Sequence, residues 1–127
     1  MREIKFRGRQ GNTWHFGDLN HTIGLPEVRI DEVDLKGTWT LHRVNQDTIG
    51  QFTGLKDSSG RDIYEGDIVQ YKDFIYQVVY EGKRFASFGL RRKQDAYMHY
   101  FGEAMEACDC EIIGNVHDSP ELLEGED

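Results

Sequence analysis

The chain has 127 residues, 38% of them hydrophobic, with 2 Trp, 6 Tyr and 7 Phe, enough for a modest core and against wholesale disorder. Its net charge of -8 argues against a protein that lives on non-specific phosphate contacts. No apolar run approaches the ~20 residues that cross a bilayer, and the opening Met1-Arg2-Glu3-Ile4-Lys5-Phe6-Arg7 lacks the continuous apolar centre of a signal peptide. A cytoplasmic protein is expected.

Ile4 and Phe6 alternate with charged neighbours, the period of a half-buried strand. Gly8 to Thr13 reads as a turn, Trp14-His15-Phe16 resumes the alternation, and Gly17-Asp18 breaks it. Short β pieces follow at His21 to Ile23 and Val28 to Ile30. Asp31, Glu32 and Asp34 read as a solvated acidic loop before a better strand, Thr38 to Val44, in which Trp39 and Leu41 share a face. The stretch Gly50 to Val69 then forms a rigid corner. Gly54, Gly60 and Gly66 recur every six residues, each expected at a chain reversal with positive φ.

Beyond the corner, Asp67 to Lys72 is a strand and Asp73 turns the chain into Phe74 to Tyr80. Phe74, Tyr76, Val78 and Tyr80 form a wholly apolar or aromatic face directed at the core. Glu81-Gly82-Lys83 signals a hairpin, with Phe85 to Leu90 as the return strand. Asp95 can cap a short helix carrying Tyr97, Phe101, Ala104 and Met105, although Gly102 weakens it by ~1 kcal/mol relative to alanine. Cys110 to Val116 closes the sheet, Leu122 and Leu123 dock, and the acidic tail 124–127 frays. The pattern is mainly β, a roll or barrel with at most one short helix. Residues 1–50 form an N-terminal β extension or subdomain and residues 51–123 the C-terminal half.

Four blocks resemble the YopX-type family of bacteriophage and prophage proteins. They are Met1 to Gly8; Trp14-His15-Phe16-Gly17-Asp18-Leu19; Thr48 to Asp57 leading into Ile63-Tyr64-Glu65-Gly66-Asp67-Ile68-Val69; and Ile112-Ile113-Gly114-Asn115 through Leu123. Ile23 to Lys36 and Lys83 to Ala107 match poorly. The resemblance implies a phage-encoded protein in the host cytoplasm whose C-terminal half is a small SH3-like β-barrel or roll. It offers no catalytic residues to carry over.

Several constellations invite a chemical reading beside a structural one. Asp62, Glu65 and Asp67 can hold a cation or exchange protons, but Asp67 accepting turn amides beside Gly66 is the preferred reading. Gly54, Gly60, Tyr64, Glu65, Gly66, Asp67, Gly114 and Asn115 are accordingly assigned to structure. Cys108-Asp109-Cys110, with His99 and His117 nearby, is tighter than the usual zinc spacing, so thiols without a metal or catalytic role are favoured. Lys83, Arg84, Phe85, Phe88, Arg91, Arg92 and Lys93 would make a basic-aromatic strand for single-stranded nucleic acid. The preferred reading, given the acidic net charge, puts Phe85 and Phe88 partly in the core and the cations at a protected edge. Arg2, Lys5, Arg7 and Arg9 read as a solvated basic face, and Trp14, Trp39, Phe52, Tyr64, Tyr76 and Tyr80 as core anchors.

No phosphate-binding loop, nucleophile elbow, zinc-protease helix or complete calcium loop is present in the sequence. The expected function is therefore a non-enzymatic macromolecular interaction module, without cofactor, catalytic or metal residues. Its expected partner is a protein or a second copy. The alternative is a nucleic-acid-binding accessory protein using residues 83–93.

Overall fold

The structure, a computed structural model, describes residues 5–21, 27–81, 87–92, 99–100 and 110–124. It is mainly β with antiparallel sheets, and it divides into two compact units, Met1–Phe52 and Thr53–Asp127.

The first unit contains β1 (Phe6–Gln10), β2 (Thr13–His21), β3 (Val28–Val33) and most of β4 (Trp39–Lys56). Two of these strands change partner along their length. β2 lies opposite β1 as far as Gly17 and opposite β3 from Asp18; β4 lies opposite β3 as far as Val44 and opposite β1 from Asn45. The pairings therefore close a circuit, β1-β2-β3-β4-β1. At the bend in β4 the ladder shifts, with Arg7 opposite Gly50 and Arg9 opposite Asn45. Thr48 fills the gap: its hydroxyl accepts from Arg9 N at 2.8 Å and donates to the Asn45 carbonyl at 2.6 Å. The bend in β2 needs Gly17, because a Cβ there would run into the Asp31 backbone carbonyl of β3.

Register decides which side chains face inward. Buried Val28 and Ile30 mark the inner face of β3, and their partners Val44 and His42 mark that of β4. Trp39 and Leu41 do share a face, but it is the outer one. Trp39 is 55% exposed and is no core anchor. The acidic loop is likewise corrected: Asp31 and Glu32 belong to β3, and only Asp34 sits in the turn. There its carboxylate accepts from Lys36 N and Thr38 N, both at 2.9 Å. β1 extends through Gly8 to Gln10, leaving Gly11-Asn12 as the turn, and β2 continues unbroken through Gly17. Arg7 departs from the expected solvated face. It is buried, with its guanidinium 4.6 Å from the Trp14 ring centre.

In the second unit the end of β4 lies beside β5 (Asp62–Tyr64). β6 (Asp67–Tyr71), β7 (Phe74–Glu81), β8 (Ser87–Arg91), β9 (His99–Tyr100) and β10 (Cys110–Asn115) form an antiparallel sheet in the order β10-β6-β7-β8-β9. The described helix is α1 (Glu121–Glu124). Part of the helix expected after Asp95 is instead strand, since His99 and Tyr100 pair with Leu90 and Gly89. The edge of β8 offers backbone partners to a segment that Gly102 leaves weak as a helix. Tyr97, Phe101, Ala104 and Met105 lie outside the described residues.

Ile63, Val69, Tyr71, Tyr76, Val78, Leu90 and Cys110 build the core of this unit, with Ile112 packed against them. On β7 the expected inner face holds at its centre, where Tyr76 and Val78 are buried. At its ends it fails: Phe74 is 41% and Tyr80 44% exposed. Both lie at the ends of β7, and at that exposure Tyr80 is not an anchor either.

The corner itself is held by Asp57, whose side chain is wholly buried. One carboxylate oxygen accepts from Ser59 N and Arg61 N at 3.0 and 2.8 Å. The other accepts from Ile112 N at 3.0 Å and from the Arg61 guanidinium, which also donates to the Ile112 carbonyl at 2.7 Å. Burial pushes the Asp57 carboxyl upward, but the Ile112, Arg61 and Ser59 amides and the Arg61 charge outweigh it and hold the group below the usual carboxylate range. Gly54, Gly60 and Gly66 have φ of 90°, 84° and 95°, as expected. Gly54, however, lies within β4, so its positive φ falls inside a strand rather than at a chain reversal.

Two outcomes follow for stability. Gly17→Ala should cost toward the upper end of roughly 1–3 kcal/mol, since backbone rather than a mobile side chain opposes the new methyl. Urea denaturation with an unchanged m value reads it. Asp57→Asn should cost on the order of 3 kcal/mol at neutral pH by weakening charge-assisted bonds to buried amides. Because the native pKa is depressed, the wild-type contribution is complete above the ordinary carboxylate value of about 3.9 and is lost as pH falls through the lower native value. Urea midpoints measured from neutrality into acid should converge for the two proteins.

Candidate functional site

β8 alternates, with Phe88 and Leu90 turned into the core and Arg91 turned outward. Phe88 is only 4% exposed and meets the Tyr80 ring edge-on at 5.1 Å, so it presents no free face for a base. Arg92 sits over Phe74 at 3.9 Å and near Tyr76 at 5.9 Å. An aromatic-cation pair therefore exists at this end of the strand, but its ring is Phe74, not Phe88. Lys83, Arg84, Phe85 and Lys93 lie outside the described residues.

Asp62, Glu65 and Asp67 are not gathered into a ligand set. Asp62 pairs with Lys56 at 2.6 Å, while Asp67 is buried and accepts from Tyr64 N at 2.8 Å. Between them the Glu65-Gly66 turn is tied on both sides, Gly66 N donating to Val78 O and Gly66 O accepting from Val116 N, each at 2.9 Å. Asn115 builds the turn after β10 by accepting from His117 N and Asp118 N at 3.0 Å. Gly114 leaves room for α1, since a Cβ there would press on Leu122 and Ser119. Cys110 belongs to the core; Cys108 and the His99 side chain lie outside the description.

Two features of the first unit escaped the sequence reading. On the outer face of the β3–β4 hairpin, Val33 opposes Trp39 and Asp31 opposes Leu41, with Leu35 at the tip. Val33, Trp39 and Leu41 are each about half exposed and Leu35 fully so. The second feature lies on the inner face, where Val28 and Ile30 are followed by Glu32 and where His42 opposes Ile30. His15, from β2, joins them. Its ring stacks on His42 with centres 3.6 Å apart and planes 11° from parallel, and His42 Nε2 lies 3.0 Å from Glu32 Oε1. Burial first, then the neighbouring His42, pushes the His15 pKa down, against an opposing pull from Glu32. Among the described residues, these three alone gather His, Cys, Asp or Glu ligand atoms within 4.8 Å of one another. No local motif announces them, because each comes from a different strand.

Among the described residues, no helix is long and apolar enough to cross a membrane. Among solved structures, the chain is similar to protein EF1440 from Enterococcus faecalis, at 18% identity and a TM-score of 0.49, over 97% of this chain and 99% of that one. No curated protein matches it. A family profile described as YopX protein matches residues 5–124, which take in every strand from β1 to β10 and all of α1. The chain belongs to the YopX family.

Proposed function

We propose that the chain is a non-enzymatic interaction module of phage origin that acts in the host cytoplasm by protein–protein contact. The observation that supports this reading is the outer face of the β3–β4 hairpin, where Val33, Leu35, Trp39 and Leu41 stay open to solvent. Tryptophan anchors in contiguous apolar patches are the usual energetic centre of such contacts. Polar groups bound the row: Arg29 and Arg43 pair across its base, and the Asp34 turn closes its tip. A second copy is the occupant we assign. A two-fold contact lays one row against its twin without needing another complementary surface. The second unit is an SH3-like roll in our reading. Its sheet order puts the last of five strands beside the first, followed by the second, third and fourth. That is a fold-level analogy and carries no activity by itself.

The Arg92–Phe74 pair favours one second reading, a nucleic-acid contact at that end of β8, with stacking on Phe74 in place of Phe88.

Sedimentation from low to high micromolar concentration tests the first reading. The wild-type chain should associate, and Trp39→Glu with Leu41→Glu should raise the dissociation constant by more than about tenfold, or 1.4 kcal/mol. A strictly monomeric protein unchanged by the substitutions would reject it. The second reading expects binding to short single-stranded oligonucleotides that weakens steeply with salt and is lost in Arg91→Glu, Arg92→Glu. No binding at low salt eliminates it.

A further inference from the structure

The cluster of His15, Glu32 and His42 has a composition that neither the family match nor the interaction reading uses. Two imidazoles and one carboxylate, drawn from three strands, are a donor set for a divalent transition-metal ion. A single carboxylate with no other clustered oxygen donors is poor for calcium or magnesium. We propose that the first unit binds one zinc-like ion through His15, Glu32 and His42.

Geometry carries this assignment. Zinc holds nitrogen and oxygen ligands at about 2.0–2.2 Å, which places tetrahedral ligand atoms roughly 3.3 Å apart. The Glu32 and His42 donors already stand at 3.0 Å, and no pair in the cluster exceeds 4.8 Å. The remaining separations therefore have to close by at most about 1.5 Å, within the reach of ring rotations. A bound ion lies close to the plane of each imidazole that ligates it, and two nearly parallel planes 3.6 Å apart cannot share one ion. Loading must open the His15–His42 stack and put the ion between His42 Nε2 and Glu32 Oε1 in place of their hydrogen bond.

Position agrees with this. Glu32 and His42 continue the inward rows that begin with Val28 and Val44, so apolar side chains back the cluster on one side. On the other side the Glu32 side chain is 53% exposed, which leaves an entry path. Three protein ligands leave a fourth tetrahedral position, filled by water or by a donor from a bound partner.

The test uses the full, tag-free chain, stripped with chelator and then freed of it, titrated with Zn2+ by calorimetry and with Co2+ followed by its visible d–d absorption. Wild type should take up one equivalent, with a tetrahedral Co2+ spectrum and shifted His15 and His42 ring signals in NMR. Glu32→Gln and His42→Gln should each weaken binding by more than the roughly 10–100-fold typical of losing a supporting partner outside the ligand shell. Glu32→Gln keeps shape at a half-exposed position, so its far-UV spectrum should stay native and its result stands if His42→Gln misfolds. Absence of a stoichiometric binding event would overturn the proposal. So would binding that survives in Glu32→Gln with its affinity and spectrum unchanged, since the ion would then be held elsewhere.

Discussion

The second unit depends on one buried carboxylate. A charge taken out of water is tolerated only when its lone pairs are filled and its charge is met, and Asp57 satisfies both conditions. Its partners fall into two groups. Ser59 and Arg61 are local and fold the Lys56 to Arg61 turn, while Ile112 lies 55 residues away on β10. The same group thus shapes the turn and fastens the last strand of the sheet to it. The Ser58 amide reinforces the junction by donating to Cys110 O at 2.8 Å. Breaking the carboxylate would strand several amides together, so its effect is cooperative rather than that of one bond.

That arrangement also fixes register. β10 runs against β6 with a shift between Ile112 and Gly114, and a strand with a shift can slide unless a residue beside it is pinned. Arg61 and Asp57 hold both the amide and the carbonyl of Ile112, immediately before the shift. Gly66, joined to Val78 and Val116, holds the other end. Cys110, two residues before the first clamp, is directed into the core, and Gly114, between the clamps, leaves room for α1.

Much of this unit could be read in the sequence because its determinants are local. The glycines at 54, 60 and 66 need a backbone conformation that few other residues adopt, and Tyr76 and Val78 repeat at the strand period. What the sequence could not supply was long-range register. Alternation shows that Trp39 and Leu41 share a face, but only the pairing with Val33 and Asp31 shows which face. Phe88 has the same ambiguity: its neighbouring arginines suit a surface and its strand alternation a core, and its burial beside Leu90 agrees with the core reading. Arg7 was misjudged because charge implies solvent, and the Trp14 ring that covers it comes from another strand. The histidine cluster was least legible, since His15, Glu32 and His42 meet only after three strands have paired.

The first unit also buries polar groups beside its apolar ones. Its described buried set combines Val28, Ile30 and Phe52 with Arg7 and Thr48. The strand period then separates two tasks on the same pair of strands. Trp39 and Leu41 point outward, while His42, one residue from Leu41, points inward, as does Glu32 beside Val33. An ion held by Glu32 and His42 would tie β3 to β4 from within without touching any outward side chain. Ion binding would therefore stiffen the hairpin that presents the apolar row, lowering the entropy lost on association. Coupling between the two is reciprocal by thermodynamic necessity, so association would tighten the ion to the same degree.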